Sequence, residues 1–345
     1  MFEKILVPLD GSLVADCVLP HVAAMAQTKN RSVTLLRVME AGQARGTAVN
    51  AIDWQLKKSE AQSYLEETGE ALRAGVAGEP KAVLLEGRAA ERIIEYADQE
   101  EIDLIVISSH GENGLHRWNV SSTTQKIIYR AGRSVLLVRA YQADTGANNH
   151  HNVTPIQYHR ILVPLDGSQR AEHVLTSAAA LAERHGAELL LVHVATKPTM
   201  MQRMPLTSED ATLVDQIFER NQTHAERYFE QLRGRLPENT QTFVLTDTNV
   251  PAVLHNFVNQ NAIDLVLLSA HGASGDGQWP FGSIVSSFVN FGMTPLLIMQ
   301  DMPGRLSEPM YVERISRSTQ MQRSRTAGGE NVPDETVIKQ AEPHA

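Results

Sequence analysis

The chain has 345 residues, a formal net charge of −9 and a single cysteine. That length predicts two domains, the acidic balance argues against a broad nucleic-acid footprint, and one thiol excludes an internal disulfide or a cysteine metal cluster. No stretch approaches the roughly 20 uninterrupted apolar residues of a membrane span, and the opening MFEKILVPLDGS lacks the basic-then-apolar layout of a secretory signal, so a soluble cytoplasmic protein is expected.

In chain order, the first apolar strand runs into ILVPLDGS, Ile5 to Ser12. Cys17 follows among apolar residues of an expected helix, where a buried, inert thiol is the reading that fits. A second strand ends at Val38, a fourth is IDLIVISS, and a glycine-containing loop, SSHGENGLHRWNVSS from Ser108 to Ser122, leads into the last helix. Residues 142–159 are polar with no apolar period and read as a linker. His150 and His151 within it fit a solvated segment better than a metal site, since no further ligand is suitably spaced.

The second half repeats the first. ILVPLDGS recurs letter for letter from Ile161 to Ser168, and IDLIVISSHG (102–111) matches IDLVLLSAHG (263–272), so two similar units lie in tandem. Val38 matches Val194, and the second unit is five residues longer between there and Ile263. After its first strand, Ala171, Val174, Leu175, Ala178, Leu181 and Ala182 recur at helical spacing up to Gly186. LLLVHVA is an apolar strand, and an amphipathic segment from about Ser208 to Leu236 carries Leu213, Val214, Ile217, Phe218, Tyr228, Phe229 and Leu232 on one side. Three further strands (TFVLT, DLVLLS, PLLIM) alternate with helices PAVLHNFVNQ and SIVSSFVNF. This predicts domains over 1–141 and 160–303, each with five strands and four helices. Met200, Met201 and Met204 suit gap filling, or a lid or partner surface. The tail, 304–345, is expected to be disordered; its Arg314, Arg317, Arg323 and Arg325 are too sparse to indicate nucleic acid.

Strands apolar on both faces, each followed by a helix, predict an α/β fold: two doubly wound parallel sheets with helices on both faces. Ligands in such sheets sit beyond the carboxyl ends of the strands. There the chain places Pro8, Asp10 and Ser12, and again Pro164, Asp166 and Ser168. A carboxylate at that position can accept hydrogen bonds from a ribose hydroxyl or a base amine, and Asp-Gly-Ser can equally serve only to make the turn. The loop from Ser269 to Ser283 is glycine-rich and opens a helix, so backbone N–H groups and the positive helix end suit a phosphate. Ser283 is expected to cap that helix. Gly282 is replaced by Ser121 in the first unit; if the position needs a left-handed backbone or a bare Cα, serine costs about 1–2 kcal/mol, and the second unit is the better site. His110 and His271 fit a framework role or direct phosphate contact, and Trp118 and Trp279 a hydrophobic plug or a stacking platform. Walker and dinucleotide glycine motifs are absent, as is a nucleophile elbow.

Together these residues resemble the universal stress protein family in its tandem form. Nucleotide-binding members carry a glycine, two residues, a second glycine, nine residues, then Gly-Ser or Gly-Thr. The second unit reads Ser269, Gly272, Gly282-Ser283, departing once, and the first reads Ser108, Gly111, Ser121-Ser122, departing twice. The resemblance implies an adenine nucleotide alpha hydrolase-like fold with strand order 3-2-1-4-5. It implies ATP or AMP, with adenine near Pro164, Asp166 and the Val194 backbone and ribose and phosphates near Gly272, Gly282, Ser283 and Ile284. Weaker equivalents are Pro8, Asp10, Val38, Gly111, Ser121 and Ser122. Mg2+ or Mn2+ bridging the phosphates is similar to what some members show. It further implies an internal pseudo-dimer through Val135–Val138 and Leu296–Met299, with homodimerisation of the whole chain compatible. A stress-response regulator that binds nucleotide and acts through an unidentified protein partner is the leading expectation. The alternatives are a nucleotide-independent scaffold, favoured by Ser269 and Ser121, and a slow metal-dependent ATP hydrolase with His271 or Asp276 as its base.

Overall fold

The computed structural model describes residues 2–28, 30–40, 51–111, 120–140, 153–197, 207–273 and 280–300. The expectations for Trp118, Trp279, His150, His151, Met200, Met201, Met204, Asp276 and the tail fall outside the described residues.

The first repeat contributes strands β1 (Lys4–Pro8), β2 (Ser32–Met39), β3 (Lys81–Glu86), β4 (Leu104–Ser108) and β5 (Ser134–Val138). Its helices are α1 (Leu19–Ala26), α2 (Ala51–Arg73), α3 (Ala89–Gln99) and α4 (Ser122–Arg130). The second contributes β6 (Arg160–Pro164), α5 (Gln169–Glu172), α6 (Leu175–His185), β7 (Glu188–Ala195), α7 (Ser208–Arg233), β8 (Thr240–Thr246), α8 (Val250–Gln260), β9 (Leu265–Ser269), α9 (Ser283–Phe291) and β10 (Leu296–Met299).

The ten strands form one sheet in the order β3-β2-β1-β4-β5-β10-β9-β6-β7-β8. Within each repeat every pairing is parallel; β5 and β10 meet antiparallel, Leu136 opposite Leu297. Joining these two edges removes the exposed row of backbone groups each repeat would present alone. Strand side chains alternate between faces, so Ile5, Val7, Leu104, Val106 and Leu136 enter a core beneath α1, α2, α6 and α7, together with Val163 and Leu267. Leu6, Ile105, Ile107 and Val135 enter the opposite core beneath α3, α4, α8 and α9, together with Leu162 and Val266. Each core is continuous across both repeats.

Three local expectations are corrected. The helix after the first strand is divided: in the first repeat a 3-10 turn, Ala15–Val18, precedes α1, where Pro20 cannot donate a backbone hydrogen bond. In the second, α5 and α6 are separated at His173 and Val174, whose dihedrals remain right-handed helical. The early turns of α7 leave Leu213 and Ile217 exposed, while Val214, Ala225, Phe229 and Leu232 are buried. The last part of the linker is packed: the Val153 and Ile156 amides donate to the carbonyls of Ala71 and Pro20, and Tyr158 is completely buried.

Cys17 lies half-buried in the 3-10 turn against the core. Burial, with Asp16 adding to it, pushes its pKa up to about 12, which favours the thiol over the reactive thiolate.

Candidate functional site

In the second repeat β6 pairs with β7 on one side and β9 on the other. Connections leaving β6 and β9 pass to opposite faces, and the crevice between their carboxyl ends is the place where such sheets receive ligands. A cavity of about 570 Å³ opens there, within the roughly 300–1,000 Å³ typical of small-molecule sites. Pro164, Asp166, Val194, Gly272, Gly282, Ser283 and Ile284 all line it. The structure therefore brings these seven residues together from four separate stretches of chain.

Asp166 ties two of these stretches together. Its Oδ1 accepts from the Ser168 amide (3.0 Å) and hydroxyl (2.6 Å), and its Oδ2 from the Ala273 amide (2.6 Å). Burial alone would raise its pKa, but the Ser168 hydroxyl and the Ala273 and Ser168 amides outweigh it and hold the carboxyl below its ordinary value. Ser168 also accepts from the Ala171 amide, capping α5. The turn-making and ligand-facing roles of Asp-Gly-Ser are thus not exclusive: the same carboxylate makes the turn and lines the cavity.

The glycine requirement falls at a different position from the one expected. A Cβ at Gly272 would lie 2.2 Å from Asp166 Oδ2, and one at Gly111 would lie 1.9 Å from Asp10 Oδ2. Gly282, in contrast, is extended (φ −70°, ψ 168°), and a Cβ there would come no nearer than 3.9 Å to the Ala270 carbonyl oxygen. No left-handed backbone is needed, and no described protein atom crowds a Cβ there, so Ser121 does not weaken the first repeat through backbone strain.

Gly282, not Ser283, is the N-cap of α9, and among the described residues no side chain caps this helix. Ser283 is its first residue. The first amides of a helix lack intrahelical acceptors and carry the positive end of the dipole, so α9 presents an uncapped end to the cavity. Ser269, met in the sequence only as a departure, is buried in the cavity wall, and its Oγ has no hydrogen-bond partner among the described residues.

Helix α7 adds Asn221, His224 and Tyr228 to the wall, and β7 adds His193, whose Nδ1 lies 2.9 Å from the Leu165 carbonyl oxygen. Sequence reasoning missed Asn221 and His224 because polar positions on a long helix look the same whether they face solvent or a cleft, and it placed Tyr228 and His193 only within an apolar helix side and an apolar strand. Burial, followed by the nearby Glu172, raises the Tyr228 phenol above its ordinary pKa, leaving it a neutral hydroxyl. His110 and His271 are both buried; His110 Nδ1 is 3.0 Å from Ser109 Oγ, and His271 is among the residues that line the cavity.

In the first repeat Pro8 ends β1, Val38 lies on β2 and Gly111 follows β4 beside Asp10. Asp10 makes the same turn, accepting from the Ser12 amide and hydroxyl. The helix entrance differs: Ser121 is the N-cap of α4 and accepts from the Thr124 amide at 3.1 Å, with Ser122 the first helical residue.

A family model described as "Universal stress protein family" matches residues 1–139 and 157–299. The chain belongs to the universal stress protein family. A universal stress protein of Mycobacterium tuberculosis is 24% identical over 307 residues, covering 85% of this chain and 96% of that protein. Another, from Methanocaldococcus jannaschii, is 28% identical over 156 residues, 40% of this chain and 96% of its own length. Among solved structures, a universal stress protein from Archaeoglobus fulgidus matches with a TM-score of 0.59 at 16% identity, over 88% of this chain and all of that one. At this identity the match concerns the fold. No helix among the described residues is long and apolar enough to cross a membrane.

Proposed function

We propose that the second repeat binds an adenine nucleotide, ATP or AMP, and that the chain acts as a stress-response regulator whose partner or dimer contacts depend on occupancy. The observation that carries this reading is the convergence of the seven residues on one cavity at the sheet's switch point, with an uncapped helix opening into it. Pro164, Asp166 and the Val194 backbone would face the base. Gly272 and the α9 entrance at Gly282, Ser283 and Ile284 would face ribose and phosphates, where free amides and the helix dipole favour an anion. The unpartnered Ser269 hydroxyl is a further polar group that a ligand could satisfy.

A divalent cation would be held chiefly by the phosphates. Both Asp166 oxygens already accept hydrogen bonds, and no group of three or more His, Cys, Asp or Glu able to hold a metal occurs among the described residues.

The test is to heat-release and mass-identify any ligand carried by the purified chain, and to titrate ATP and AMP calorimetrically. The expected result is adenine nucleotide in the supernatant or micromolar binding, lost on Asp166→Ala. Neither released nucleotide nor binding would overturn the reading in favour of the scaffold.

A further inference from the structure

The two repeats differ at one position that the glycine pattern does not mark. In the strand register Pro8 lies opposite Leu36 and Pro164 opposite Val192, so the next residues, Arg37 and His193, are structural counterparts. Their side chains are disposed differently. A Cβ at Gly11 would meet Arg37 Nη1 at 2.6 Å, Cζ at 2.8 Å and Nη2 at 2.9 Å, whereas no atom of the described residues comes within 4 Å of one at Gly167. Both glycines have positive φ, +86° and +83°, so the turn itself is the same. What differs is that the guanidinium covers the Asp10-Gly11 turn, while His193 leaves the Asp166-Gly167 turn open and faces the Leu165 carbonyl.

Arg37 is held in place from behind. Its Cζ sits 5.5 Å from the centroid of the Tyr64 ring, a cation–π arrangement. Tyr64 in turn donates its hydroxyl to Asp16, and burial, followed by Asp16, keeps that phenol protonated by raising its pKa. The planar guanidinium thus bridges an aromatic face and the turn that, in the second repeat, forms part of the open cavity wall. The Asp–Gly approach at the cleft, Asp10 with Gly111 and Asp166 with Gly272, is shared and cannot distinguish the two sites.

From this contrast we infer that Arg37 closes the base end of the first-repeat cleft by occupying it, so that the chain takes one nucleotide rather than two. The inference rests on the reading of the second repeat as a nucleotide site and adds the residue that decides stoichiometry. It replaces Ser121 as the origin of the asymmetry, since the backbone at that position is not strained.

The experiment is calorimetric titration of the full chain with ATP in magnesium, with thermal melts confirming folding. Wild type is expected to bind one ATP, Asp166→Ala none, and Arg37→His and Arg37→Ala two each. A residual site in Asp166→Ala, two sites in wild type, or a single site in both folded Arg37 variants would overturn the inference. A second site gained by Ser121→Gly with Arg37 intact would also overturn it and assign the asymmetry to the helix cap. If wild type binds no ATP, the reading of the second repeat falls; a site gained only on changing Arg37 would still uphold closure, and none gained would overturn that as well.

Discussion

Gly272 leaves room for the Asp166 carboxylate and for nothing larger, since a methyl there would fall 2.2 Å from Oδ2. Relieving that overlap means giving up the hydrogen bond from the Ala273 amide or moving the loop. Gly272→Ala is therefore expected to lower stability by about 1–3 kcal/mol. Gly282→Ser, at an extended N-cap where the nearest described atom lies 3.9 Å from an added Cβ, is expected to raise stability by a few tenths of a kcal/mol, about the margin by which a serine cap exceeds glycine. Urea unfolding of the two variants beside wild type measures both changes. Sequence spacing marked both glycines alike. Only the path of a carboxylate from another strand separates the one that is sterically required from the one that leaves a helix uncapped.

At the level of single elements, the two final helices of the repeats are stabilised by different means. Helix α4 starts from the Ser121 cap, and Ser121→Ala is expected to cost about 1 kcal/mol, read as a lower denaturation midpoint at unchanged slope. Helix α9 lacks such a cap but is held at its other end from the first repeat: Arg139 donates to the carbonyls of Phe288 (2.6 Å) and Val289 (2.8 Å). A cation on the last carbonyls also complements the dipole. Arg139→Ala is expected to cost roughly 1.5–3 kcal/mol, the range for hydrogen bonds to a charged group. Exchange of the α9 amides with deuterium should accelerate more than that of α4. The apolar period of these helices was legible in the chain; their caps were less so, because Ser121 read as a damaged glycine and Arg139 acts on a helix 149 residues away.

Across the whole molecule, the repeats share more than the β5–β10 seam. Tyr158, from the linker, places its hydroxyl 2.7 Å from His21 Nδ1 in α1, and its ring packs edge-on to His185 in α6 at 4.9 Å. Burial lowers the pKa of His21 to about 4 and lowers that of His185 as well, with Arg184 contributing. The folded chain thus holds His21 neutral where an unfolded chain, with a histidine pKa near 6.5, binds the proton. Stability is expected to fall as the pH drops from about 6.5 to about 4, by up to about 3 kcal/mol from His21 alone. His21→Asn should flatten that slope, and denaturant midpoints taken at half-unit pH steps will show whether it does.

The amino-acid sequence by itself determined the tandem α/β architecture and the strand-end location of the cavity, while the seven residues expected around it came from the resemblance that its motifs carry. Apolar runs, helical periods and an eight-residue repeat are local patterns, and the rules that turn them into a parallel sheet depend only on burial and chain handedness. The tertiary structure alone decided that Gly272 is the sterically constrained glycine, that Tyr158 packs the linker between the repeats, and that Arg37 covers the first turn while His193 leaves the second open. Each of these depends on the side chain of one element reaching the backbone or ring of another. Such distances are set by packing across the sheet, and spacing along the chain carries no record of them.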